Sequence, residues 1–241
     1  MSHFEWMRVV SMAAAVLLMP ALLGGCGFAA GRVHSDDGVS SDGSEASGGV
    51  SDEGSRSRLA DSFSSFVDMM LEQARADGTV AAEQMTVLES AKAEGVVSVA
   101  EYEQVWSNYR QCMVDKGNPE PVLVKYPNGL YHQAVVSGDA SSADAFLADV
   151  SECSVTHTMY VEAVYEAQLD NPNLYEDSAT GIVDCLHRHD LVDHDYTVER
   201  FSKESAEQEF SFDISDMEVL SCMVANGLFY ANTDVMPKQV L

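Results

Sequence analysis

Ala74-Arg75-Ala76-Asp77-Gly78-Thr79-Val80 returns 17 residues later as Ala91-Lys92-Ala93-Glu94-Gly95-Val96-Val97. Each copy reads as the end of a helix closed by glycine, a short turn and the start of the next helix, because glycine alone takes the left-handed conformation of a helix C-cap without strain. Two copies predict a pair of helical hairpins and stop short of a solenoid. Asp77-Gly78 lacks the alternating acidic ligands and terminal Glu of a calcium-binding EF-hand loop.

On the N-terminal side, Leu59, Phe63, Phe66, Val67, Met70 and Ala74 recur at helical spacing and share one face. On the C-terminal side, Ser98-Val99-Ala100-Glu101 is a capping box that opens a helix. Tyr102, Val105, Trp106, Tyr109 and Met113 stripe that helix as core, Cys112 lies in its last turn, and Asn118-Pro119 stops it.

Two short apolar runs flank Pro127-Asn128-Gly129, which predicts one small β-hairpin over about residues 122–135. A lone hairpin is marginal in water, so this one is expected to lie on the helices. One long helix is then expected to carry Phe146, Leu147, Val150, Cys153, His157, Tyr160, Val161, Val164 and Tyr165, with His157 a hydrogen-bonded core histidine. Asn171-Pro172-Asn173 closes it. Ile182, Val183, Cys185 and Leu186 mark the next helix, Thr197 caps a charged one, and Ser215-Asp216-Met217-Glu218 reads as a second capping box before a last helix ending at Gly227. The predicted fold class is mainly α, a single disulfide-braced helical domain over residues 59–228 with a frayed tail at 229–241. At roughly 180 residues, such a domain buries about 70% of its unfolded surface and needs no metal to build a core.

Cys112-Met113-Val114-Asp115-Lys116-Gly117, Cys185-Leu186-His187-Arg188-His189-Asp190 and Cys222-Met223-Val224-Ala225-Asn226-Gly227 align. In each, a Cys precedes Met or Leu, and a residue suited to the left-handed region follows five positions on. The spacing predicts one structural device used three times, with Asp190 in the slot held elsewhere by glycine.

Five cysteines are present, and setting Cys26 aside leaves an even number. No Cys-x-x-Cys redox pair occurs. Two disulfides follow for an exported chain. Of three connectivities, the pairs nearest in sequence are Cys112 with Cys153 and Cys185 with Cys222. Each closes a loop of about 40 residues, for which loop entropy gives about 4 kcal/mol.

Residues 1–25 read as a leader in which Arg8 precedes the apolar segment Val9 to Leu23, short for a spanning helix and interrupted by Pro20. Leu22-Leu23-Gly24-Gly25-Cys26 resembles the lipobox of bacterial lipoproteins. The resemblance implies cleavage before Cys26, attachment of diacylglycerol to its sulfur, and a membrane-anchored, extracytoplasmic protein. Residues 26–58 are rich in Ser, Gly and Asp and cannot bury enough surface to order themselves, so they are expected to form a flexible tether with an r.m.s. span of roughly 30 Å. The mature part is similar to secreted helical lipoproteins of actinobacteria with several Cys-Met or Cys-Leu helix ends, a likeness that implies no activity.

With 39 acidic against 13 basic residues the formal charge is −26, too few cations for a nucleic-acid footprint and the wrong sign for adhesion to an anionic membrane. No Gly-x-Ser-x-Gly, Ser-x-x-Lys or His-Glu-x-x-His motif is present, so nothing points to an enzyme. Paired carboxylates cannot be picked out by sequence among so many acids. The expectation is a non-enzymatic binding or structural module of the cell envelope, with a protein or wall polymer as partner. The alternative is a zinc or other divalent-metal site from His187, His189, Asp193 and His194, whose imidazole and carboxylate groups suit such ions. Residues 187 and 189 sit about 200° apart on a helix, so both reach one ion only where the helix has ended.

Overall fold

Gly78 and Gly95 both take left-handed conformations, with φ of 72° and 77°, and close α1 (Phe63–Asp77) and α2 (Ala82–Glu94). The echo is therefore a repeated helix stop. The computed structural model describes residues 57–134 and 140–228, with side chains from 143 onward in the second stretch, and these lie in one compact unit. The leader, Cys26, nearly all of the expected tether and the expected tail at 229–241 lie outside the described residues.

α3 (Val99–Asp115) opens with the expected capping box, Ser98 accepting from Glu101 N and Glu101 reaching back to Ser98 N. Tyr102, Val105, Trp106, Tyr109 and Met113 are all buried. The hairpin is shorter than expected: β1 (Leu123–Lys125) pairs antiparallel with β2 (Tyr131–Gln133), Val124 opposite His132. Its turn takes positive φ at Gly129. The hairpin is pinned to α3, since Tyr131 N donates to the Tyr102 hydroxyl at 3.0 Å and the Tyr109 hydroxyl donates to Gln133.

The single long helix of the sequence reading is two, α4 (Ala140–His157) and α5 (Met159–Asp170), broken at Thr158. The cause lies in another helix. Buried Gln84 of α2 donates from Nε2 to the carbonyls of Val155 and Thr156 at 3.0 and 2.9 Å, and its Oε1 accepts from the amides of Tyr160 and Val161 at 2.9 and 3.3 Å. A side chain inserted into the helical ladder satisfies the groups freed by the break. Gln168 of α5 does the same service at the echo turn, exchanging two hydrogen bonds with the backbone of Val97. α5 packs against α1, α2, α3 and α4 and is the axis of this part of the domain.

α6 (Ser178–Arg188), α7 (Val198–Glu207) and α8 (Met217–Val224) follow, α6 touching both of the others. Thr197 caps α7 as expected, accepting from Arg200 N. Ser215 does not open a capping box; it donates to Asp213, and Asp216 caps α8 by accepting from Glu218 N at 2.9 Å. A carboxylate one residue later competes better for the free amides. Leu59 also departs from its expected place: it precedes α1, is exposed, and donates its amide to Leu174 O at 2.8 Å. With Glu176 N donating to Ser57 O, this ties residues 57–59 to the domain rather than to a tether.

Both expected disulfides form, Cys112–Cys153 and Cys185–Cys222, with Cα separations of 5.8 and 5.6 Å. The three aligned segments are one device. Gly117, Asp190 and Gly227 take φ of 88°, 55° and 73°. In each copy the amide of the following residue reaches back to the carbonyl just after the cysteine, in Asn118 to Met113, Leu191 to Leu186 and Leu228 to Met223 at 2.9 to 3.0 Å. These are the bonds of a Schellman helix end. Among the described residues the fold is mainly α, with a single two-stranded sheet.

Candidate functional site

Asp190 in its left-handed conformation ends α6 and turns the chain into the loop 191–196, which decides where the expected metal ligands go. His187 points to Tyr196, its Nε2 lying 2.8 Å from the carbonyl. His189 points elsewhere, its Nε2 lying 3.0 Å from Asp170 Oδ1. Asp193 and His194 are exposed. No three of His187, His189, Asp193 and His194 bring ligand atoms within 4.8 Å of one another. The group that does so is Cys185, His189 and Cys222, whose sulfurs are joined as a disulfide.

The same loop helps form a cavity of about 460 Å³ between the end of α6, α7 and the start of α8. Four exposed aspartates, Asp190, Asp193, Asp213 and Asp216, line it, over apolar surface from Leu191, Phe212 and Val219. Arg200, the cation in the lining, is already committed: it lies over the Tyr196 ring with its guanidinium carbon 5.0 Å from the centroid, and donates from Nε to Glu204 at 2.9 Å. Burial opposes ionisation of Glu204, but hydrogen bonds from Tyr196, Ser211 and Arg200 outweigh it and hold the carboxyl at about 2. The Arg200 charge is thus neutralised locally, and the mouth of the cavity stays anionic. A concave site of mixed apolar and polar lining is the usual form of a ligand site, and this one suits a cationic group with an apolar stem.

The two residues before Asp190 at the end of α6, Arg188 and His189, reach a buried polar junction. Asp170 at the end of α5 is nearly inaccessible; its carboxylate accepts from Asn128 of the hairpin turn at 2.8 Å, as well as facing His189. Its carbonyl accepts from Arg188 at 2.7 Å and from Asn226 at 3.4 Å. One residue therefore ties the hairpin, α5, α6 and the end of α8 together. Gly181 permits this: a Cβ there would collide with the Asn226 side chain.

A pair of carboxylates that sequence alone could not single out stands on α5. Glu162 and Glu166 are one turn apart, half-buried and close to Tyr102. Burial pushes the Glu162 carboxyl well up from the usual range, and burial together with the Glu162 charge raises Glu166 as well. The signal available beforehand was their position between Val161, Val164 and Tyr165 on an otherwise apolar helix. Among the described residues, His132 and His157 join no group of potential ligand atoms. Burial drives His132 down to about 4, and His157, expected as a hydrogen-bonded core residue, is only half-buried with its Nδ1 unpartnered.

No known protein family, curated protein or solved structure matches this chain. Among the described residues no helix is long and apolar enough to cross a membrane.

Proposed function

We propose that the chain is a lipid-anchored, extracytoplasmic binding module of the cell envelope, and that it takes a cationic group of a protein or wall-polymer partner in the cavity beside α6. The observation that carries the reading is the cavity itself: four exposed aspartates over apolar surface, with the neighbouring arginine neutralised by Glu204. The net charge of −26 favours the same class of partner through long-range attraction. Two formed disulfides agree with an oxidising exterior, and Cys26 in its lipobox-like setting supplies the anchor. The missing Gly-x-Ser-x-Gly, Ser-x-x-Lys and His-Glu-x-x-His motifs favour a non-enzymatic reading. A divalent ion held by His187, His189, Asp193 and His194 ranks below it, because no three of these residues bring ligand atoms within 4.8 Å of one another.

Titration of the purified protein with hexalysine tests the binding reading. Binding should weaken at least tenfold in Asp190→Asn/Asp193→Asn and fall steeply between 50 and about 300 mM salt, as screened charge–charge contacts do. Equal affinity of the variant, or equal binding of an uncharged peptide, overturns it. For the anchor, labelled fatty acid should appear on the wild type and vanish in Cys26→Ser; label persisting in the variant rules lipidation at Cys26 out.

A further inference from the structure

We propose that Cys185, Cys222 and His189 form a redox-gated zinc site, closed while the two sulfurs are joined and able to take the metal once a dithiol has reduced them. Cys185 and His189 are one turn apart at the end of α6, which places them on one face, and Cys222 arrives from α8. The three ligand atoms lie within 4.8 Å of one another. His189 is set up as a metal ligand by the residue behind it. Its Nε2 faces Asp170 Oδ1 at 3.0 Å, and that carboxylate is 4% exposed. A buried carboxylate holding one ring nitrogen as the N–H leaves Nδ1 with its lone pair, which is the outer-shell arrangement that orients and strengthens histidine ligands to zinc.

The other disulfide lacks these features. Among the described residues no histidine or carboxylate joins Cys112 and Cys153 in such a group. Cys185 and Cys222 are buried, whereas Cys112 of the other pair is half-buried; His189, with 42% of its side chain exposed, forms the edge through which an ion would reach the group.

Opening the site is ordinary thiol–disulfide exchange. A thiolate of the dithiol attacks one sulfur, the other leaves as a thiolate, and the second thiol of the reagent closes its own disulfide, so two electrons pass to Cys185 and Cys222. Zinc then binds two thiolates and the imidazole and releases two thiol protons. Zinc–sulfur bonds of about 2.3 Å at a tetrahedral centre put the sulfurs about 3.8 Å apart. With the Cα atoms 5.6 Å apart, side-chain rotation supplies that spread without moving the helices. Three protein ligands leave the fourth position to water.

The test uses cobalt(II), whose thiolate charge-transfer and d–d bands report sulfur ligation, on the full chain carrying Cys26→Ser/Cys112→Ser/Cys153→Ser so that only the second pair contributes. After dithiol reduction one cobalt per chain should bind, with bands of two thiolates; zinc should displace it and shield both thiols from alkylation. The oxidised protein should show no such bands. His189→Ala should weaken binding by at least tenfold and Asp170→Asn by about tenfold, the size of outer-shell effects. The proposal is overturned if the reduced chain takes up no stoichiometric cobalt, if His189→Ala binds as tightly as its parent, or if reduction unfolds the chain and zinc does not restore its helical circular dichroism. None of these results bears on the cavity titration above.

Discussion

Cys112–Cys153 and Cys185–Cys222 close loops of 41 and 37 residues by nearly the same Cα distance, and each has a cysteine in the same Schellman helix end. Their surroundings differ. The first joins α3 to α4 with Cys112 half-buried and Cys153 buried, and nearby polar contacts include Lys116 with Asp149 and Glu152 at 3.4 and 2.8 Å. Such exposed pairs contribute little. The second joins α6 to α8 with both cysteines buried, beside Asp170, Arg188, His189 and Asn226, and α8 carries Val219 of the acid-rimmed cavity. One covalent pattern thus serves as a brace at one end and as the anchor of the polar, cavity-bearing end at the other. What a cysteine does is set by its neighbours.

Replacing either pair by serine breaks the symmetry most strongly. Loop entropy alone gives about 4 kcal/mol for each. Cys185→Ser/Cys222→Ser should cost more than Cys112→Ser/Cys153→Ser, because two hydroxyls are then buried without assured partners at about 1–3 kcal/mol each. Urea midpoints of the two variants check this, and equal midpoints would dissolve the distinction between brace and anchor.

Next in size is Gly181→Ala, which forces Asn226 out of the junction and should cost about 2 kcal/mol with loss of hexalysine binding. The same change at Gly78, where an added Cβ meets nothing, should cost only the strain of a left-handed alanine, about 1 kcal/mol, and leave binding intact. Thermal melts paired with the titration separate the two.

The half-buried carboxylates of α5 set a pH dependence on the braced side. Raised folded-state values mean that stabilisation from Glu162 and Glu166 is complete below their ordinary value near 4.5 and is lost as pH climbs through the raised ones. His132 acts in the opposite sense at lower pH: held down near 4 by burial, it contributes above its ordinary value of 6.5 and loses that contribution as pH falls toward 4. Glu162→Gln/Glu166→Gln should therefore raise the melting temperature at pH 8 by a few degrees, for about 1 kcal/mol, and leave it nearly unchanged at pH 4.5. A gain at both pH values would show that charge is not the cause.

Smallest is Asp190→Gly, which relieves a left-handed non-glycine and should stabilise by about 0.5 kcal/mol, whereas Gly117→Asp in the matching slot should destabilise by about 1 kcal/mol. Chemical denaturation of both reads the sign.

Local signals were legible in the sequence. Glycine stops, the Ser98 box, the Thr197 cap, the aromatic stripe of α3 and the repeated cysteine segments each act within one or two helical turns, and pairing the cysteines nearest in sequence gives the two disulfides that form. Long-range polar contacts were not. The break at Thr158 depends on Gln84, and the role of Asp170 depends on Asn128, His189 and Asn226 from three other segments. Apolar spacing across 146–165 runs straight through the break, although Leu147, expected on the core face, is 60% exposed and Phe146 and Val150 are half-buried. Of the expected metal ligands, only His189 joins a group of potential ligand atoms, and its companions are the cysteines assigned to a disulfide.

Amide chemical-shift mapping of the isotope-labelled protein during hexalysine titration tests the division of labour between the two ends most directly. Saturable shifts concentrated in residues 190–219, with α1 to α3 and the Cys112–Cys153 surround unmoved, are the predicted result. Shifts spread over the acidic surface of both regions alike, or centred on the braced end, would contradict it.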